Sequence, residues 1–349
     1  MRIELPDEPR RILIIKPSAL GDIVHALPVL KLLRTRFPNA TIDWLVVPAF
    51  ASLLEEHPLL NGVVRFDRKG MSGWWRNWKE AKALFAFSRD LRNRKYDLVI
   101  DLQGLLRSGW MAWQTRAATR VGFAYAREFA SLAYTHRVTQ PTPERHAVER
   151  YLDIAEALGC GRRPIKFDFA IGEADRAAAR DLVGGSERYA VLLPGTNWPT
   201  KRWPVEHFAA LVTPLRERGL DVFMAGAADV AGFELPGAMS VAGRTSLKQL
   251  VALLAQASVV VANDSGPMHI ASALGVPLVT PFGPTNPVRT GPYGRPETVI
   301  QLDLVCRPCY SRTCTHQSCM KWITPEQVMA LVPSPVYPRE RVRVRTGGE

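Results

Sequence analysis

The chain has 349 residues, 47% of them hydrophobic, with 45 Lys and Arg against 33 Asp and Glu and five Cys. That length suits roughly two domains whose cores need no disulfide staples, and the composition excludes collagen, a coiled coil and wholesale disorder. The net charge of +12 favours anionic partners (nucleic acid, acidic lipid headgroups, phosphorylated or carboxylated sugars) and selects none of them.

The N-terminal residues carry acids and no apolar core segment, so no secretory signal is expected. Short β-branched runs then alternate with helical stretches. The first half offers strands over residues 11–16, 41–47, 63–66, 97–101 and 120–123. Between the first two lies the segment 22–37, where Ile23, Leu27, Leu30, Leu33 and Phe37 fall near helical spacing. Residues 159–164, Gly-Cys-Gly-Arg-Arg-Pro, have linker chemistry. The second half offers strands over 189–193, 220–224, 259–262 and 278–281, with helices near 205–216, 246–255 and 267–274. The longest mostly apolar stretch, 250–262, is shorter than the ~20 residues that cross a bilayer, so a soluble, cytoplasmic chain is expected. Arginines at 339, 341, 343 and 345 make a basic, solubilising tail.

Continuous apolar runs imply strands covered on both faces, hence parallel sheets with helices on each side. The expected fold is α/β, with two doubly wound Rossmann-like domains facing across a cleft. The domains are expected over residues 1–165 and 166–349. In such sheets ligands gather beyond the carboxyl ends of the strands, so the loops there are the candidate sites.

The first of these loops, 17–22, holds Gly21, read as permitting a tight turn, and Asp22, read as the helix N-cap. An N-cap aspartate is a common structural device. The alternative is a general base at the cleft edge, which a helix N-terminus would weaken by favouring the ionised carboxylate. His25, one turn later, is a second cleft candidate or a structural histidine. The loop 193–204 carries Thr196, Asn197, Lys201 and Arg202 ahead of a helix, the donors and positive charge that phosphate needs. It also reads as a solvated basic loop with a packed Trp. The turn 262–269 carries Asp264, Ser265, Gly266 and His269, and its free N–H groups suit a diphosphate. It matches neither G-x-G-x-x-G nor a Walker A loop. Residues 283–287 add a polar turn.

Five segments together resemble glycosyltransferase family 9, the bacterial ADP-heptose:lipopolysaccharide heptosyltransferases. They are Lys16-Pro-Ser-Ala-Leu-Gly-Asp-Ile-Val-His-Ala-Leu-Pro28, Asp101-Leu-Gln-Gly-Leu-Leu-Arg-Ser108, His146-Ala-Val-Glu-Arg150, Lys201-Arg-Trp-Pro204 and Asn263-Asp-Ser-Gly-Pro-Met-His269. The resemblance runs from about residue 11 to about 324. It implies a GT-B fold and an inverting transfer of heptose from ADP-heptose to the anionic inner core of lipopolysaccharide, with no cofactor required for catalysis. By the same resemblance Asp22 is the catalytic base and Lys201 meets the donor phosphates. Thr196, Asn197, Asp264, Ser265, Gly266 and His269 bind the donor, while Ser18, Gly21, His25, Arg107 and Arg127 face the acceptor. Residues 225–229 depart from the pattern, since no carboxylate aligns cleanly with the acidic residue some members place on the ribose; Asp229 is a nearby substitute. A membrane-bound acceptor implies peripheral contact with the inner membrane surface.

Cys306, Cys309, Cys314 and Cys319 crowd four thiols into 14 residues. In a cytosolic chain such clustering favours structural zinc or iron over disulfides, with His316 as a substitute ligand, although the spacing is not the common zinc-finger pattern. Free or partly oxidised thiols are the alternative, and Cys160 stands apart as inert. The cluster keeps open a second function, heptosylation of a protein of the autotransporter type. A third, non-catalytic nucleic-acid binding, lacks a stacking platform or recognition helix, so no nucleic-acid partner is expected.

Overall fold

The computed structural model describes residues 2–67, 70, 77–142, 144–227, 230 and 232–334. Asp229 and the basic tail lie outside the described residues. The chain divides into two units, one ending at Ala170 and the next beginning at Ile171.

The first unit is built on six parallel strands, β1 (Arg11–Ile15), β2 (Thr41–Val46), β3 (Gly62–Arg65), β4 (Leu98–Asp101), β5 (Thr119–Phe123) and β6 (His136–Val138), in the order β3-β2-β1-β4-β5-β6. The second unit repeats the plan. Its strands β7 (Tyr189–Leu193), β8 (Asp221–Met224), β9 (Met239–Ser240), β10 (Val259–Ala262), β11 (Leu278–Phe282) and β12 (Val299–Gln301) run parallel in the order β12-β11-β10-β7-β8-β9. The sequence explains the central strands: Ile12 to Ile15 and Val259 to Ala262 are apolar without alternation and are buried, as a strand covered on both faces must be. In each sheet the direction of winding reverses at the unit's first strand. β1 has β2 on one side and β4 on the other, and β7 stands likewise between β8 and β10. The crevice at that reversal, beyond the carboxyl ends, is where such sheets hold ligands.

Several expectations shift by a few residues, each for a local reason. The helix expected over 205–216 breaks into Val205–Ala210 and Val212–Glu217, because Pro214 has no N–H to give to the preceding turn. The edge strands β6, β9 and β12 are only two or three residues long, too short to leave a periodic signal. Residues 159–164, read as a linker, begin by closing the helix Ala147–Ala157. Gly159 takes a φ of +75°, and its N–H reaches the Glu156 carbonyl at 2.9 Å. Among the described residues, no helix is long and apolar enough to cross a membrane.

Candidate active site

At the first reversal point the chain leaves β1 through residues 16–19 and enters the helix Leu20–Arg36. Asp22 is the third residue of that helix, and the N-cap is Ala19. This corrects the expected N-cap aspartate. The Asp22 Oδ2 accepts the N–H of Ala19 at 3.2 Å, holding the helix entrance from inside the first turn. Gly21 is likewise buried within the helix and forms no turn. Asp22 Oδ1 accepts the Tyr151 hydroxyl at 3.4 Å. Lys16 stands 3.7 Å from Oδ2, donates to the Leu102 carbonyl at 3.3 Å and lies 5.1 Å from the centroid of the Tyr151 ring.

Burial alone would lower the pKa of the Lys16 ammonium, but the Asp22 carboxylate and Tyr151 outweigh it and raise the pKa, so the ammonium stays charged. Burial, with Asp22 adding to it, pushes the Tyr151 hydroxyl up to about 12 against the pull of Lys16. Tyr151 is therefore a neutral donor to the carboxylate. The two charges are unequally presented: Lys16 is 3% exposed and Asp22 is 39% exposed. This edge shows a carboxylate.

Around that pair the first unit is firmly built. His25 is buried with its ring edge-on to that of His146, centroids 4.9 Å apart. His146 in turn caps the helix Ala147–Ala157 by accepting the Val148 N–H at 3.1 Å. His25 thus packs where the two helices meet, one turn along from Asp22. Asp101, fully buried at the end of β4, accepts the N–H groups of Gln103 (2.8 Å) and Gly104 (3.1 Å) and the Tyr134 hydroxyl (2.6 Å). Gly122 lets the Tyr134 ring through, since a Cβ there would stand 2.3 Å from it. Ser18 is half-buried in the turn before Asp22. Arg107 and Arg127 are exposed, on the segments that follow β4 and β5, and the Arg127 N–H ties those segments together on the Gly104 carbonyl at 3.0 Å.

The second reversal point is made by the loops after β7 and β10, and one buried amide joins them. Asn263 Oδ1 accepts the Trp203 N–H at 3.0 Å, and its Nδ2 donates to the Pro194 carbonyl at 2.8 Å. Asp264 Oδ2 receives both the Lys201 ammonium, at 2.7 Å, and the Thr285 hydroxyl, at 2.6 Å. The Thr196 hydroxyl donates to the Asp264 carbonyl at 3.0 Å, so it positions the turn and keeps only acceptor capacity. Here the carboxylate is the hidden member: Asp264 is 5% exposed and Lys201 15%. Lys201 also lies 4.6 Å from the centroid of the Trp198 ring, and Arg312 lies at the same distance from it. Two cations therefore share one aromatic platform, a favourable arrangement of about 0.5–1 kcal/mol each at partly exposed sites.

Ser265 is the N-cap of the helix Gly266–Ala273, and its buried hydroxyl has no hydrogen-bond partner among the described residues. An unsatisfied buried hydroxyl costs roughly 1–3 kcal/mol unless a ligand answers it. It sits beside the free N–H groups of a helix start, an anion-binding geometry. Gly266 is the first residue of that helix and His269, buried, lies one turn along. Asn197 is exposed on the loop before Trp198.

A family model described as glycosyltransferase family 9 (heptosyltransferase) matches residues 84–320. The chain belongs to this family. It is 35% identical over 325 residues to lipopolysaccharide heptosyltransferase 1 of Pseudomonas aeruginosa, covering 88% of each chain. It is 30% identical to lipopolysaccharide heptosyltransferase 1 of Escherichia coli K12, covering 83% of this chain and 93% of that one. In structure it resembles the E. coli heptosyltransferase WaaC solved with ADP-2-deoxy-2-fluoro heptose, with a TM-score of 0.73 at 27% identity, covering 92% of this chain and 98% of that one. A family 9 enzyme from Veillonella parvula matches with a TM-score of 0.80 at 24% identity over 96% and 99% of the two chains, a likeness of fold. The fold is GT-B.

In this family 9 chain the zinc or iron centre expected at the four clustered cysteines finds no support. Among the described residues, no group of three or more His, Cys, Asp or Glu side chains is arranged to hold a metal. The thiols are free. Cys306 and Cys309 are exposed, while Cys319 is buried on a short helix that packs under Gly283. His316 shares a hydrogen bond of 3.0 Å with Ser318. The segment braces the loops after β7 and β11. The N–H groups of Cys309 and Tyr310 reach the Pro284 carbonyl, at 3.1 and 2.9 Å, and Arg307 bonds the carbonyls of Gly283 and Leu302. The Ser311 carbonyl accepts the Thr200 hydroxyl at 2.7 Å, and the next residue is Arg312. Cys160 is elsewhere, its thiol pushed up to about 12 by burial.

Sequence reasoning passed over Lys16, Tyr151, Thr285 and Arg312. Lys16 stands at the head of the segment 16–28 and Thr285 in the polar turn 283–287, and an isolated cation or hydroxyl there carries no signal until its partner is known. Arg312 lies 111 residues from Lys201, so only folding could put both on Trp198.

Proposed function

We propose that this enzyme transfers a heptose from ADP-heptose to the inner core of lipopolysaccharide, inverting the anomeric centre. Asp22 takes the proton from the acceptor hydroxyl as that oxygen bonds to the anomeric carbon. The bond from that carbon to the diphosphate oxygen breaks, and its electron pair leaves with the nucleotide. Lys201, the Ser265 hydroxyl and the N–H groups opening the helix Gly266–Ala273 stabilise the charge that leaves. Arg312 adds a second cation there. Asp264 acts by holding Lys201 in place, because a bare carboxylate would repel a diphosphate. Ser18, Gly21, His25, Arg107 and Arg127 belong to the acceptor side, with Arg107 and Arg127 meeting its acidic groups. Thr196, Asn197 and His269 line the donor side. The enzyme works in the cytoplasm against a membrane-borne acceptor.

One observation carries this reading. The first unit buries a cation and presents a carboxylate, and the second buries a carboxylate and presents a cation. Group transfer from a diphosphate needs one of each: a proton acceptor for the nucleophile and a positive site for the leaving group. The test is incubation with ADP-heptose and a panel of truncated core lipids, following ADP release and the mass of the lipid. A gain of one heptose on a core lipid is expected. Sugar on a protein acceptor, or ADP-heptose left intact beside every lipid, would overturn it.

A further inference from the structure

The first unit leaves an apolar surface uncovered on the segments that follow β4 and β5. Leu106 and Trp113 are exposed two turns apart on one side of the helix Leu106–Gln114. Gly109, between them, touches Ala130: a Cβ there would stand 2.9 Å from the Ala130 carbonyl oxygen. That contact sets Phe129 and Leu132, 80% and 73% exposed, beside the helix. The backbone holds Phe129 out at a cost. Glu128 and Phe129 both take left-handed conformations, with φ of 56° and 59°, which bulky residues seldom adopt without a compensating gain. Glu128 is fixed by accepting the Leu106 N–H at 3.2 Å. In the free protein the Phe129 ring gains no burial in return.

The charge around this surface is one-sided. Residues 105–137 contain five arginines, at 107, 116, 120, 127 and 137, and a single acid, Glu128. Arg120 and Arg137 donate to the carbonyls of Ala133 (2.7 Å) and Ser131 (2.9 Å), which fixes both guanidinium groups beside Leu132. Exposed aromatic and aliphatic tips within a ring of arginines match the interface of an anionic bilayer, where apolar tips enter the headgroup boundary and cations meet lipid phosphates.

We infer that the surface of Leu106, Trp113, Phe129 and Leu132, with its arginine rim, seats the enzyme on an anionic phospholipid bilayer. It follows β4 and β5 at their carboxyl ends, as Asp22 follows β1 at its own, so docking there holds the acceptor edge to the surface that carries a lipid-linked acceptor. The inference rests on the acceptor reading given above, and its test is separable from it.

The experiment is co-sedimentation of the full chain with phosphatidylethanolamine vesicles containing about one-third phosphatidylglycerol, and with phosphatidylcholine vesicles. The wild type should bind the anionic vesicles, less so as salt rises, and the neutral ones weakly. Phe129→Ser with Leu132→Ser should lower the anionic partition coefficient at least about tenfold, and Arg116→Gln about threefold. Turnover of ADP-heptose on a deacylated, water-soluble core acceptor should match the wild type in all of them. Equal partition of wild type and double variant, or no wild-type binding, overturns the inference. So does a wild-type dimer in sedimentation velocity that the double variant abolishes, since the surface then belongs to a second copy. Vesicle binding of the expected pattern with no turnover on any acceptor would sink the functional reading and leave this one standing.

Discussion

The two units share a strand order, a reversal point and a Lys–Asp pair placed there, yet they use the pair in opposite senses. In the first, Lys16 is sunk beneath the loop after β1 and Asp22 faces outward from the following helix. In the second, Asp264 is sunk beneath the turn after β10 and Lys201 lies on the more open side. One plan used twice therefore presents opposite charges through which partner is hidden. Electrostatics explains why the hidden partner matters: a charge under a protein surface is screened less than one in water, so it holds its mate in place without competing for the substrate.

Substitutions can break this symmetry one side at a time. Asp22→Ala should lower turnover by at least about a hundredfold while donor affinity, measured by direct titration of ADP, stays near wild type. Turnover close to wild type would remove Asp22 from the chemistry. Lys201→Ala should weaken both, with donor affinity falling roughly 30-fold for the loss of a charge-assisted phosphate contact; an unchanged titration would strike the phosphate assignment. On the first side, Tyr151 offers a pH test. Its folded value, about 12, exceeds the ordinary phenol value of about 10, so its contribution is full below about pH 10 and is lost as pH rises toward 12. Urea midpoints should fall over that window, and Tyr151→Phe should flatten the fall by up to about 2 kcal/mol. A slope identical in the variant would mean that other groups carry it. The smallest effect belongs to the second side. Ser265→Ala should raise the thermal stability of the ligand-free protein by about 1 kcal/mol, because it removes a buried hydroxyl that has no partner, and should weaken ADP binding only a few-fold.

Much of this was legible from residue order. The apolar runs at 12–15 and 259–262 announced central parallel strands, and the loops after them announced where to look. What stayed hidden has common physical causes. Edge strands such as Met239–Ser240 are too short for any period to show. The break at Leu211 needed the missing N–H of Pro214 to be weighed against the helical pattern. Asp22 was assigned to a cap one turn too early, since a carboxylate that bonds back to Ala19 from the third helical position looks the same in sequence as one that leads the helix. The cysteine spacing suggested a metal, but spacing alone does not fix a ligand geometry. Folded, the segment lends its backbone to Pro284 and Thr200 and its arginine to Trp198.

Asn263 deserves a last consequence. From the turn after β10 its amide spends both its acceptor and its donor on the loop after β7, one near each end of that loop, so the stretch around Lys201 and the stretch around Ser265 are a single mechanical part. Aspartate could not stand in for it, having no donor for the Pro194 carbonyl. Anyone seeking to retune which nucleotide sugar is accepted would therefore have to graft both stretches together, because a segment exchanged alone would arrive with half of its fastening missing.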